Sequence, residues 1–140
     1  MKSALDLVDD IIKLIEVPAI TSQISGKVWA EERWDDNSKA DIVVNSTGIV
    51  NLAMQVGFAN INIYVPSESQ TWGGKAKFYP NRKEMKRLVA LISPLVETQW
   101  KETFHCQIEE AGNIIQDTDG SWFINIRVKY WSLQEKYKNI

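Results

Sequence analysis

A chain of 140 residues, 44% hydrophobic and 24% charged, is long enough for one domain to bury a stable core without disulfide or metal staples. Its formal net charge of −2 gives no bulk attraction to nucleic acid or to an anionic membrane. A single cysteine forbids an internal disulfide, no apolar run approaches the roughly 20 residues of a bilayer span, and the N-terminus lacks a signal-peptide pattern. A single domain over residues 1–140, made in a reducing cytoplasm and without a membrane partner, is expected. Six tryptophans favour a partner surface, since exposed Trp concentrates at interfaces. Trp29 and Trp122 are assigned to the core, and Trp72 and Trp131 are the stronger surface candidates.

The pattern predicts a first helix over 3–17, with Ser3 as cap and Asp6 in the first turn. Leu5, Val8, Ile11, Ile12 and Ile15 make its apolar stripe, Leu7 and Leu14 fall outside it and suggest a second neighbour, and Pro18 ends it. Strands follow within 27–65, centred on Lys27–Glu31, Asp41–Asn45 and Ala59–Val65; the pattern of 47–58 does not decide between irregular chain and a weak strand. Pro66 opens a projecting loop, 66–79, rich in Ser, Gln, Gly and Lys but also holding Trp72, Phe78 and Tyr79. Linkers rarely carry three aromatics, so this loop reads as a docking tongue.

A second helix is predicted over 81–98, opened by a capping box of Asn81 and Glu84 and kinked or restarted at Pro94. The chain then alternates through a long hairpin, 104–131, turning at Asp117-Thr118-Asp119-Gly120. A bulge at Gly112 brings Glu109 near Arg127 and Gln107 near Lys129. Residues 132–140 read as a tail. The fold class predicted is α+β: a mainly antiparallel sheet of about four to six strands packed against two helices and closed by the long C-terminal β-hairpin.

Catalytic equipment is sparse. His105 is the single histidine and has no local partner, Glu109 and Glu110 point to opposite faces, and Cys106 lies among apolar neighbours. Asp117-x-Asp119-Gly120 lacks the remaining ligands of a calcium loop, and Gly73-Gly74-Lys75 lacks the glycine spacing and hydroxyl of a phosphate loop. No catalytic, cofactor or metal residue is therefore assigned, and a non-enzymatic role is expected. One charged segment stands out. Lys75, Lys77, Arg82, Lys83, Lys86 and Arg87 face a single Glu84, with Phe78 and Tyr79 between them. A solvated helix start accounts for it, stacked single-stranded nucleic acid would suit it, and so would a protein contact. Asp9, Asp10, Glu31, Glu32, Asp35 and Asp36 supply an acidic match in the first third, which favours protein over nucleic acid.

This order of elements resembles the tail-completion, tail-terminator and head–tail connector proteins of tailed bacteriophages. The order runs helix, Lys27-Val28-Trp29, Asp41-Ile42-Val43-Val44, Asn60-Ile61-Asn62-Ile63-Tyr64-Val65, helix and hairpin. The resemblance spans roughly residues 3–131 and rests on element order and strand character rather than on signature residues. It implies a non-catalytic structural virion protein, assembled in the host cytoplasm, that forms a ring at the neck of the particle. Its partners would be copies of itself and other neck, portal or tail proteins, with DNA passing through the lumen without sequence-specific binding. Candidate contact residues are Trp72, Lys75, Phe78, Tyr79, Arg82, Lys83 and Arg87, with Asp35 and Asp36 as the acidic partners on the next copy. A nucleic-acid-binding adaptor using the segment Lys75–Arg87 is the alternative.

Overall fold

In the computed structural model, which describes residues 1–34 and 38–133, the first helix forms for the reason its cap suggests. Ser3 Oγ accepts from the Asp6 amide at 3.3 Å and the Ser3 amide donates to the Asp6 carboxylate at 2.8 Å, opening α1 (Ala4–Ile15) with a reciprocal capping box. Its buried face is Leu7, Val8, Ile11 and Ile15, while Leu5 is 67% exposed. The expected stripe was thus out of phase at its start. Leu7 is fully buried in the chain's own core, and Leu14 packs against that core while partly exposed. Pro18 does not merely stop the helix. It sits in the first turn of a short helix, α2 (Pro18–Thr21), where a missing amide hydrogen costs nothing.

Three strands follow: β1 (Val28–Ala30), β2 (Asp41–Val50) and β3 (Met54–Val65). The undecided stretch 47–58 is strand on both sides of a tight turn, with a register shift between Ser46 and Gly48. The expected loop 66–79 is instead a two-stranded ribbon, β4 (Glu68–Trp72) and β5 (Lys75–Tyr79), paired from Glu68↔Tyr79 to Trp72↔Lys75. Gly73 and Gly74 close it with φ of 59° and 77°, the left-handed pair that a two-residue hairpin turn requires. The run of Ser, Gln and Lys hid this pairing because both ribbon faces are exposed, so no apolar alternation marks it.

Helix α3 (Arg82–Val96) is capped by Asn81, whose side chain accepts from the Glu84 amide at 3.2 Å. The Glu84 carboxylate turns to Arg87 and not back to the cap, so only half of the predicted box forms. Pro94 lies in the last turn without ending the helix. Strands β6 (Thr98–Trp100), β7 (His105–Gln116) and β8 (Trp122–Leu133) complete the chain.

The sheet order is β1-β2-β3-β8-β7-β6, with β1 parallel to β2 and the other neighbours antiparallel. This overturns the expected architecture. The molecule is mostly sheet, 48% strand against 24% helix, as a curled six-stranded mixed half-barrel with three helices. It is not a sheet packed on two helices and closed by a terminal hairpin. The last strand lies inside the sheet, paired along its whole length with β3 from Met54↔Leu133 to Val65↔Trp122. Alternation in β8 marked its two faces but carried no information about which strand would flank it.

One core unites the helices and one face of the sheet. Leu7, Ile11, Ile15, Leu88, Ile92 and Val96 meet Ile42, Val44, Ile61, Ile63, Ile126 and Val128, all fully or almost fully buried. Tyr130 joins them with its ring buried, its hydroxyl donating to Asp10 Oδ2 and accepting from Lys2 Nζ at 3.0 Å. Gly57 lets β3 run close beneath α1. A Cβ there would stand 2.6 Å from the Leu7 side chain and 2.8 Å from the Gly48 carbonyl oxygen.

Candidate interaction surfaces

The ribbon and the start of α3 are contiguous in the chain and carry the basic segment. All ten residues of β4 and β5 are exposed, with Trp72 at 89% and Phe78 at 60%. By register, Trp72, Lys75, Lys77 and Tyr79 share one face of the ribbon and Phe78 lies on the other; Lys77 Nζ sits 5.2 Å over the Tyr79 ring. Arg82 and Lys83 are exposed on the first turn of α3. Arg87 is already committed within the chain: its guanidinium grips Glu84 at 2.5 and 3.0 Å and Gln23 at 2.9 Å. It is therefore the weakest of the predicted contact residues. Asp35 and Asp36, the predicted acidic partners, lie outside the described residues.

Among the described residues of the acidic counterpart, one is already committed within the chain. Asp10 is engaged by Lys2 at 2.6 Å and by Tyr130. Glu31 and Glu32 are exposed at the end of β1, and Asp9 on the outer face of α1. Asp41 organises this flank. It is 5% exposed, and one of its oxygens accepts from the Lys27 amide at 2.8 Å and from Trp29 Nε1 at 2.9 Å, while the other lies 3.5 Å from Arg33. Arg33 also stacks 3.9 Å over the Tyr64 ring. Thus Trp29 packs on the flank through a polar anchor rather than in the core.

The sheet face away from the helices has three zones. At its centre Asn60 donates to Asn45 at 3.0 Å, and Asn125 donates to Asn62 at 2.7 Å and to Asn60 at 3.2 Å, so these amides satisfy one another across β2, β3 and β8. At one end the His105 ring lies between Trp100, 3.6 Å away, and Trp131, 4.8 Å away, with Nδ1 3.0 Å from the Gln99 carbonyl. At the other end Tyr64 meets Phe123 at 4.8 Å and donates to Asp117 at 2.8 Å. Trp100 and Trp34 are 77% and 75% exposed and were not singled out from the sequence. Their short, charged neighbourhoods offered no periodic signal.

The remaining predicted groups find ordinary roles. The Asp117–Gly120 segment is a hairpin turn in which Ser121 donates through its hydroxyl and its amide to Asp119, holding that carboxyl below its usual range. Cys106 is fully buried, and burial pushes its thiol up to about 11, so it stays protonated at neutral pH. Burial and the bond to Asp117 likewise raise the Tyr64 phenol. Glu109 meets Arg127 at 3.1 Å as expected, although register places Glu110 opposite it. The guanidinium Nε–H is not aligned on the carboxylate, so this is a charge contact without a hydrogen bond. The strand slips twice, between Ile108 and Glu110 and between Glu110 and Asn113. Among the described residues no cluster of three metal-ligating side chains occurs, and no helix is long and apolar enough to cross a membrane. A scan against protein-family models and a search of curated proteins return no match for this chain.

Proposed function

We propose that this chain is a structural virion protein, a ring-forming subunit at the head–tail junction of tailed bacteriophages. The observation that carries the reading is the separation of charge across the sheet. Helix α3 packs over β3 and β6–β8, so the exposed bases at its start lie on the helix-covered face of the sheet, whereas Glu31, Glu32, Asp117 and Asp119 gather around a pocket with Asn45, Asn62 and Tyr64 on the other face. A head-to-tail contact joins two different patches of one subunit, and such a contact closes into a ring when its rotation permits. The projecting ribbon supports the same reading, because Trp72 and Phe78 extend away from the core where a neighbouring neck, portal or tail protein can bury them.

The test is mass in solution over a concentration series, with negative-stain images of the same samples. The reading expects closed rings of about six or about twelve copies. Charge reversal at Arg82 and Lys83 weakens them. One observation favours a second reading: Trp72, Lys75, Lys77 and Tyr79 share a ribbon face, an arrangement on which bases stack between cations. A nucleic-acid-binding adaptor would remain monomeric and bind single-stranded DNA with an affinity that falls steeply with salt. Loss of that binding in a Lys75→Glu/Lys77→Glu variant of a strict monomer would overturn the ring.

A further inference from the structure

We propose that the pocket at the Tyr64 end of the sheet face away from the helices binds a neutral saccharide. One pyranose ring packs on Trp34, and its hydroxyls bond Asn45 and Asn62. The inference goes beyond the ring reading and does not depend on it.

Three parts of the chain, far apart in sequence, build the pocket. Strands β2 and β3 lay Asn45, Asn62 and Tyr64 along its floor, the segment Glu31–Trp34 forms one wall and the turn Asp117–Asp119 the other, around a volume of about 540 Å³. That size falls within the roughly 300–1,000 Å³ of small-molecule sites. The walls are fixed before any ligand arrives. Tyr64 ties the turn to the floor by donating to Asp117 at 2.8 Å, and Arg33 lies 3.9 Å over the Tyr64 ring and reaches Ser121 at 3.4 Å. Such preorganisation lowers the cost of binding.

The floor holds donors that the fold leaves unused. Asn62 is only 9% exposed and accepts from Asn125 through its Oδ1, but its Nδ2 has no acceptor among the described residues. Asn45 repeats the arrangement: its Oδ1 accepts from Asn60, and its Nδ2 has no acceptor among the described residues. A buried amide N–H calls for an acceptor, and one that lines a pocket can take it from a ligand. Glu31 and Glu32, exposed on the wall, supply acceptors in turn. Beside both stands the indole of Trp34, 75% exposed. It also borders a second cavity with Lys27, Trp29 and Lys39, so it stands as a wall and fills neither space.

These features select the ligand class. Four lining carboxylates against one guanidinium repel phosphate, nucleic acid and other anions. No group of three metal-ligating side chains occurs among the described residues. An organic cation would satisfy the acids but would set its charge against the two amide N–H groups of the floor. A sugar hydroxyl both donates and accepts, and the C–H face of a pyranose is the apolar surface that an exposed indole covers.

The experiment titrates the full chain with glucose, galactose, mannose and N-acetylglucosamine, and with linear oligosaccharides of each, by calorimetry and saturation-transfer NMR. The same titrations in Arg82→Glu/Lys83→Glu keep a junction between copies from covering the pocket. At least one single sugar is expected to bind with a dissociation constant of about 1 mM. Trp34→Ala should weaken it at least about 10-fold, while Trp100→Ala, an equally exposed indole at the other end of the sheet face, leaves it unchanged. Tighter binding of an oligosaccharide than of its monomer would identify a glycan chain as the source, and equal binding a free sugar. No binding of any of them at about 10 mM, ten times that constant, in either protein would overturn the site. Binding that survives Trp34→Ala would overturn its location, and binding of spermidine without any sugar would overturn the ligand class. Rings are scored separately in the images, so either reading can fall alone.

Discussion

Asp41 is the residue on which the acidic flank depends, and its replacement separates two contributions. Its Oδ1 accepts the Lys27 amide and Trp29 Nε1 at 2.8 and 2.9 Å, and its Oδ2 faces Arg33 at 3.5 Å, all with the side chain almost fully buried. Hydrogen bonds to a charged group contribute about 1.5–3 kcal/mol each. Asp41→Ala removes both short ones and leaves two half-buried donors that water reaches only in part, so a loss of about 3 kcal/mol is expected. Asp41→Asn keeps the accepting oxygen for both donors but turns an amide hydrogen toward the guanidinium and gives up the attraction of the ion pair. Its expected cost is about 1 kcal/mol. Urea unfolding followed by tryptophan fluorescence reads the difference. With a slope near 1.5 kcal/mol per molar, the alanine variant shifts the midpoint by about 2 M and the asparagine variant by less than about 1 M. Equal shifts for the two variants would refute the argument, since they would mean that the accepting oxygen contributes nothing.

Gly57→Ala should cost about 2 kcal/mol or more, because the new methyl meets the Gly48 carbonyl oxygen at 2.8 Å, an atom of the backbone that cannot rotate away; a stability change under about 0.5 kcal/mol in the same assay contradicts that crowding. Alkaline pH should unfold the protein progressively. Burial raises the folded Tyr64 and Tyr130 phenols above their ordinary value of 10.0, and raises the Cys106 thiol from 9.0 to about 11. Raised values mean that the unfolded chain loses these protons first. Their contribution is therefore complete below about pH 9 and shrinks as pH rises, by about 1.4 kcal/mol per pH unit for each phenol above pH 10. Stability measured from pH 8 to 11 in the native chain and in Tyr130→Phe checks the sign, and a flat profile refutes it.

Much of the chain could be read locally. The Ser3 cap, the buried row of β8, the hairpin turn at Asp117–Gly120 and the approach of Glu109 to Arg127 all follow from neighbours in sequence or from the period of a strand. These depend on short-range hydrogen bonding and on alternation, and both are written directly in residue order. The phase of α1 was less legible, because seven Leu, Ile and Val residues on twelve positions define more than one stripe, and only the sheet beneath selects Leu7 over Leu5.

Composition and charge by themselves led to the expectation of one small domain and marked a basic segment and an acidic one. Tertiary structure alone decided where those segments stand. Nothing in residue order states that β8 inserts between β3 and β7, that residues 66–79 pair as a ribbon, or that the segment Glu31–Trp34 shares a pocket with the Asp117–Asp119 turn. Those facts come from strand neighbours far apart in sequence. A strand's pattern specifies which of its faces is buried, whereas its partners are selected by the packing of the whole sheet.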